Sequence, residues 1–197
     1  MNHNSERIIL MKGKKELIRE AAVKVIAQEG FYNTKIFKIA EEAGVAVGTI
    51  YNYFDSKDQI LEYIFNVEFT KRINLLEELK NKKMSIKKKL KIFIEKHFKE
   101  IKENLDTAQI LVREKEFPKS SEFSAILNYL NEIPLLMEDM LDKAVKNGEI
   151  KNQNTAITAG LIFGALQGVV EKALRTNDIK LLDAADQEVI RFIEEGV

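Results

Sequence analysis

The stretch that decides the reading runs from Thr34 to Leu61, TKIFKIAEEAGVAVGTIYNYFDSKDQIL. Ile36, Ile39, Ala40 and Ala43 fall on one face of a short helix. Gly44 permits a sharp turn, and Val45 plugs the core beneath it. A second short helix, from about Val47 to Phe54, buries Ile50 and Phe54 and exposes Gly48, Thr49, Tyr51, Asn52 and Tyr53. Tyr51 and Tyr53 cannot both share a helix face with Ile50 and Phe54, so these aromatics are not all core. The layout is that of a helix-turn-helix presenting a recognition helix to the major groove of DNA.

The flanks supply the rest of such a unit. Lys14 to Glu29 reads as a helix with Leu17, Ile18, Ala21, Ala22, Val25 and Ile26 on one apolar face. Gly30 stops it in a left-handed C′ position, Phe31 packs back, and Asn33 or Thr34 caps the next helix. On the other side, Ser56-Lys57-Asp58-Gln59 reads as a capping box opening a long helix to about Lys80. Lys57 stands in the first turn, where the macrodipole disfavours a cation. With the free backbone N–H groups it would form a phosphate clamp. Ser85 to Glu103, Asp106 to Phe117, Ser121 to Asn147, Thr155 to Arg175 and Leu182 to Glu194 also show helical spacing. Pro134 should kink the third of these or begin a new helix. Asn147-Gly148 and Asn177-Asp178 read as stops, and no strand or repeat is evident.

Composition agrees. The chain has 197 residues, 45% hydrophobic and 31% charged, with two prolines, nine glycines and no cysteine. That excludes disulfides and thiolate-bound metal and fits a reducing compartment. The apolar run at Ile8 to Met11 is too short for a signal peptide, and Ala156 to Val170 is shorter than a bilayer span. We therefore expect a cytoplasmic protein without membrane contact. No Gly-rich phosphate loop, nucleophile elbow or paired histidine supports an enzyme, and neither metal nor cofactor is expected. The competing non-catalytic reading, a helical adaptor, has no need of the surface from Gly48 to Tyr53. Net charge is zero, yet its distribution is uneven. Residues 1–60 hold nine Lys/Arg against eight Asp/Glu, whereas residues 80–102 hold ten Lys against two Glu. A nearly neutral DNA-binding part must rely on a few placed cations, on polar contacts and on duplication in a dimer.

The run from Ile39 to Leu61 resembles the N-terminal signature of the TetR family of bacterial transcriptional regulators. Ile39, Ala40, Ala43, Gly44 and Val45 match its first block, Gly48, Thr49, Ile50, Tyr51, Tyr53 and Phe54 its second, and Lys57, Asp58 and Ile60 or Leu61 its third. The resemblance implies an all-α homodimer. Its N-terminal three-helix helix-turn-helix domain (12–57, after a flexible arm at 1–11) binds double-stranded operator DNA. Its C-terminal helical domain (58–197) binds a ligand and dimerises through its last two helices. The resemblance also implies a small-molecule effector that shifts the long linking helix and releases the operator. It assigns Thr34, Lys35 and Lys57 to phosphate, with Lys38 nearby, and Tyr51 and Tyr53 to the backbone. Gly48 and Thr49 let the recognition helix approach closely, and Asn52 becomes the candidate base reader. Val47 stands where a polar residue is common and reads either as a thymine-methyl contact or as core with Ile50. Phe37 reads either as an exposed aromatic near DNA or as core.

The regulatory half is less specific. The sequences ILVREKEF (110–117) and KAVKNGEI (143–150) resemble the subgroup that regulates fatty-acid degradation in response to long-chain acyl-CoA. Phe65, Phe69, Phe98 and Tyr129 are candidate lining for such a chain, and Arg113 a candidate partner for CoA phosphates. A hydrophobic drug of an efflux system, or a bile-acid-like amphiphile, is the competing effector. The lysine run reads as a solvated face, an anionic-ligand entrance or an extra DNA contact. Gly160, Gly164 and Gly168 share one helix face, smooth enough for close helix approach, either between subunits or within one. Val189 and Ile193 belong to the expected partner face of the dimer interface.

Overall fold

A computed structural model describes residues 13–114 and 124–196; the arm expected at 1–11 lies outside them. Among these residues nine α-helices are ordered as α1 (Lys14–Glu29), α2 (Ile36–Ala43), α3 (Val47–Tyr51), α4 (Lys57–Asn81), α5 (Ile86–Glu103), α6 (Leu105–Arg113), α7 (Ser124–Lys146), α8 (Thr155–Arg175) and α9 (Ala185–Gly196). A short 3-10 turn, Ile179–Leu182, joins the last two. Among the described residues there is no strand.

The stops and starts have local causes. At Gly44 (φ 65°, ψ 33°) the left-handed residue lets Gly44 N–H donate to Glu41 O and Val45 N–H to Ala40 O, a Schellman closure. The same pair of bonds ends α7 at Gly148 and α8 at Asn177, whose φ is 54°. Gly30 departs from expectation. Its φ of 82° is positive, but ψ is 153°, so the chain leaves α1 extended rather than in the left-handed helical turn. Ser56, Ser85 and Asn154 accept the N–H groups of Gln59, Lys88 and Ile157 and so open α4, α5 and α8. The reciprocal half of the expected capping box is displaced by one residue, since Gln59 Oε1 accepts from Asp55 N–H. Neither Asn33 nor Thr34 caps α2; Lys35 takes the N-cap position without a side-chain bond. The recognition helix is shorter than expected. After Tyr51 the bonds from Asn52 to Thr49 and from Tyr53 to Ile50 tighten into a turn. α7 is a single helix through Pro134, and no new helix begins there.

α1 packs on α2, α4 and α6; α4 packs on α7, α5 and α1; α7 packs on α8; and α9 packs on α5 and α8. Ile18, Ile26, Ile39, Ile50 and Phe54 close the N-terminal core. Phe65, Leu76, Phe93, Phe98, Met137, Leu141 and Leu166 continue the same core through the remaining helices. Burying each of these side chains stabilises the fold by roughly 1.5–3 kcal/mol. Lys15 Nζ of α1 stands 4.3 Å from the Tyr63 ring centroid, a cation–π contact that ties α1 to α4.

One polar cluster is buried where α1, α4 and α5 meet. Arg19, Glu68, Arg72 and His97 are all under a tenth exposed. Arg72 Nη1 donates to Glu68 O (2.6 Å) and Glu68 Oε2 (3.3 Å), while Arg19 Nη1 lies 3.8 Å from Glu68 Oε1. Arg72 Nε donates to His97 Nδ1 at 3.4 Å. Arg19 is itself paired with Glu16 at 2.6 Å, so each arginine has a carboxylate, and a charged imidazole would only face the Arg72 guanidinium. Burial, with a smaller contribution from the Arg72 charge, pushes the His97 pKa down to about 3.

His97 buried neutral must take up a proton on unfolding once the pH falls below its ordinary value near 6.5. The stability it protects is present above that pH and is lost progressively as pH falls from about 6.5 toward 3. Urea unfolding measured between pH 7 and 5 should show this decline, and His97→Leu should flatten it by close to one linked proton.

Candidate DNA interface and its link to the regulatory half

The two sides of α3 are unlike. Ile50 is completely buried, which fixes the rotation of the five-residue helix. Val47, Gly48, Tyr51, Asn52 and Tyr53 are exposed, and Thr49 is half-buried. A side chain added at Gly48 would meet nothing, so its open surface is available to a close-approaching backbone. Two alternatives left open by the sequence close here. Val47 is 39% exposed and is not core with Ile50; Phe37 is 51% exposed and is not core either. Tyr32, which sequence reasoning passed over, is more exposed than any of them at 76%. Its position right after a helix stop, in Gly-Phe-Tyr-Asn, is the signal that was there to be read.

The cations around α3 are more committed than the sequence suggested. Lys35 is exposed. Lys38 is paired with Glu29, and Lys24 with Glu42 at 2.9 Å. Thr34 has to be withdrawn from the expected interface. It is 2% exposed, and its hydroxyl donates to Gly30 O at 2.8 Å. Lys57 is not the free phosphate clamp expected of it. Its ammonium donates to the carbonyls of Phe31 (2.6 Å), Tyr32 (3.2 Å) and Thr34 (2.8 Å) and sits 4.5 Å from the Phe31 ring centroid. Three protons meet three acceptors, and burial holds its pKa below the ordinary lysine value. Lys57 thereby fastens the start of α4 to the α1–α2 connection.

A second clamp reaches the same connection from the regulatory half. At the end of α6, Arg113 Nη2 donates to Ile26 O (2.5 Å) and Nη1 to Ala27 O (3.2 Å), completing the C-terminus of α1. The neighbouring Glu114, 5% exposed, binds Arg113 Nε at 2.7 Å and accepts from Phe31 N–H at 3.4 Å. Arg113 was expected to meet effector phosphates. In this structure its guanidinium serves α1, although a third of the side chain stays exposed beside Arg175 in a cleft of about 270 Å3.

Of the expected effector lining, Phe65, Phe69 and Phe98 are buried, with Phe65 and Phe69 edge to face at 5.3 Å. The Tyr129 side chain lies outside the described residues. The lysine run is largely occupied within the chain. Lys80 pairs with Asp139, Lys82 with Glu78, Lys91 with Glu95 and Lys99 with Glu103, while Lys87 and Lys89 donate to the Glu194 and Lys80 carbonyls. Its helix start is held by Glu149, whose carboxylate accepts from Ile86 N–H at 3.1 Å.

On α8, Gly160, Gly164 and Gly168 are exposed, and a Cβ at any of them would meet nothing within 4 Å. The intramolecular alternative for this smooth face is therefore excluded among the described residues. Ile157 (60%), Leu161 (62%) and, on α9, Phe192 (66%) are exposed apolar side chains on the same two helices. Val189 and Ile193 do not join them. They are 6% and 4% exposed, because α9 turns them inward against α5 and α8. α8 is long and apolar enough to cross a membrane, as the core helix of a folded domain can also be; here it is packed against α7, and its last turns carry Lys172 and Arg175.

Residues 18–64 match the family described as "Bacterial regulatory proteins, tetR family", and residues 83–171 match "Tetracyclin repressor-like, C-terminal domain". The fatty acid metabolism regulator protein of Bacillus subtilis (strain 168) is 31% identical over 185 residues, covering 91% of this chain and 93% of the relative. Among solved structures, the transcriptional regulator FadR from Bacillus subtilis in complex with stearoyl-CoA is 30% identical, with a TM-score of 0.81 over 92% of this chain and 98% of that one. The fatty acid degradation regulator FadR from Bacillus halodurans is 28% identical, with the same TM-score and the same shares covered.

Two outcomes check the geometry. Lys57→Met should cost about 2 kcal/mol in urea unfolding of the DNA-free protein, the scale of charge-assisted bonds lost to carbonyls. It should leave the salt slope of DNA binding as it is, because the ammonium is turned inward. Leu161→Asp should convert a dimer to monomers in sedimentation, with secondary structure retained in circular dichroism.

Proposed function

Because the chain belongs to the tetR family of bacterial transcriptional regulators, we propose that it is an acyl-CoA-responsive repressor. It binds operator DNA as a homodimer and lets go when a long-chain acyl-CoA occupies its regulatory half. It is a regulator and not an enzyme. The observation that carries the effector class is the extent of the likeness. The regulatory half, not only the DNA-binding half, follows a regulator solved with stearoyl-CoA. We read residues 12–57 as the DNA-binding domain and 58–197 as the effector-binding and dimerisation domain, acting in the cytoplasm.

At the operator, Asn52 is the base reader, its amide suited to adenine. Val47 meets a thymine methyl. Tyr51 and Tyr53 reach the backbone with their hydroxyls, Gly48 and Thr49 let it come close, and the exposed Lys35 supplies positive charge. Lys38 joins if Glu29 releases it. Dimerisation through the glycine face of α8, with Ile157, Leu161 and Phe192, duplicates this sparse set.

In the regulatory half, the acyl chain takes the space now shared by Phe65, Phe69 and Phe98, and the anionic head lies in the cleft between Arg113 and Arg175. Phosphate there competes with Ile26 O and Ala27 O for the Arg113 guanidinium. Since Arg113 and Glu114 are the regulatory half's hold on the α1–α2 connection, drawing Arg113 away changes the seat of the DNA-binding domain. The pair of recognition helices then no longer fits two half-sites together.

A gel shift with the promoter beside the protein's own gene tests this. Tyr51→Ala should weaken binding at least tenfold, and Lys35→Ala should lower the slope of log affinity against log salt by about one. Palmitoyl-CoA or stearoyl-CoA at micromolar concentration should release the operator. If neither releases it nor raises the melting temperature, the effector class is wrong.

A further inference from the structure

His97 lies outside the DNA interface, in the buried polar cluster of the regulatory core. It is 7% exposed, and the imidazole packs between Phe93 (centroids 6.3 Å apart, nearly parallel) and Phe98 (5.3 Å, edge to face). One ring nitrogen is accounted for: Nδ1 accepts from Arg72 Nε. A neutral imidazole that accepts at Nδ1 carries its proton on Nε2. That Nε2–H is buried and has no partner among the described residues. A phenylalanine would pack there without leaving a donor unmet, so the site pays for a hydrogen bond it does not make.

We propose that His97 Nε2–H is the specificity contact for the effector's acyl carbonyl, donating to the thioester oxygen of a bound acyl-CoA; the inference rests on the acyl-CoA reading above. The chemistry of the site selects this acceptor. Apart from Arg72 the ring packs on aromatic neighbours and is buried, which disfavours a second charge. Arg72 is already balanced by Glu68, so no anion is needed for neutrality. The neutral state of the ring follows from its burial, and a neutral donor suits a neutral carbonyl. Phe98, next in sequence, is one of the aromatics assigned to the acyl chain, and Phe69 lies one turn before Arg72 on α4. The carbonyl would therefore sit where the chain begins.

The contact also has a structural consequence. His97 leans on Arg72, Arg72 on Glu68, and Glu68 faces Arg19 of α1. A hydrogen bond at Nε2 fixes the ring at one end of a buried chain of polar groups whose other end is in the DNA-binding domain.

The test compares palmitoyl-CoA with S-hexadecyl-CoA, a thioether of the same length with a methylene in place of the carbonyl. Wild-type protein should need about ten times more thioether for half-release from the operator, the effect of one buried hydrogen bond. His97→Leu should reduce that ratio to near one, and His97→Gln, which keeps a donor, should restore part of it. Because the ratio is taken within each variant, a general loss of stability cancels. In the wild type, the chain's two histidines make a 15N-histidine spectrum simple. The His97 Nε2–H signal should move downfield with palmitoyl-CoA and not with the thioether. Equal potency of the two compounds on the wild type, a wild-type ratio retained by His97→Leu, or an unmoved Nε2–H signal would overturn the assignment while leaving the acyl-CoA reading standing. Failure of both compounds to release the wild type would overturn that reading and this one together.

Discussion

The structure depends on the way nine residues, Ile26 to Thr34, have their backbone groups claimed from two sides. The segment leaves a helix and enters another within a few residues, so several of its carbonyls and amides have no helical partner. Lys57 takes three carbonyls from the α4 side, and Arg113 with Glu114 takes two carbonyls and an amide from the α6 side. Neither clamp belongs to the helix-turn-helix itself. The orientation of α2 and α3 is thus set by residues at the near end of the linking helix and at the far end of α6. Any movement between those two ends is felt first at this connection.

What could be read from the residues alone was whatever is decided locally. The helix limits Lys14–Glu29 and Thr155–Arg175, the Ser56 cap and the Gly44 and Gly148 stops depend on spacing and on neighbours within five positions. The exposed face of α3 was legible for the same reason: five residues with one fully buried member leave little choice. The errors are non-local. Lys57 looked like a solvent-facing cation because its acceptors lie 23 to 26 positions earlier. Arg113 looked free because its acceptors are 86 and 87 positions away. Glu68 and Arg72 have the i, i+4 spacing of an ordinary surface pair, and nothing in the spacing told that α1 and α5 cover it. Val189 and Ile193 were rightly taken as an apolar stripe, but a stripe does not say whether it faces its own core or a second subunit.

The two clamps and the buried cluster share a design. Each uses a cation to tie the helices around α1 together: Lys57 the start of α4, Arg113 the end of α6, and the buried arginines α1 to α4. Such contacts are geometrically demanding and weaken abruptly when one partner shifts. A loosely greased apolar contact would yield gradually; these yield in steps. That suits a protein that must stand in one of two arrangements rather than drift between them.

The pairing of Lys24 with Glu42 and of Lys38 with Glu29 has a consequence for life on a chromosome. Cations already matched to carboxylates displace few counterions from random duplex, and that displacement is the source of sequence-independent affinity. Through these two lysines the subunit gains little hold on bulk DNA. The genome, with its millions of competing sites, therefore acts as a weak sink for it. A small number of molecules per cell is then enough to find and occupy a few operators, and once dislodged they are dispersed rather than held nearby.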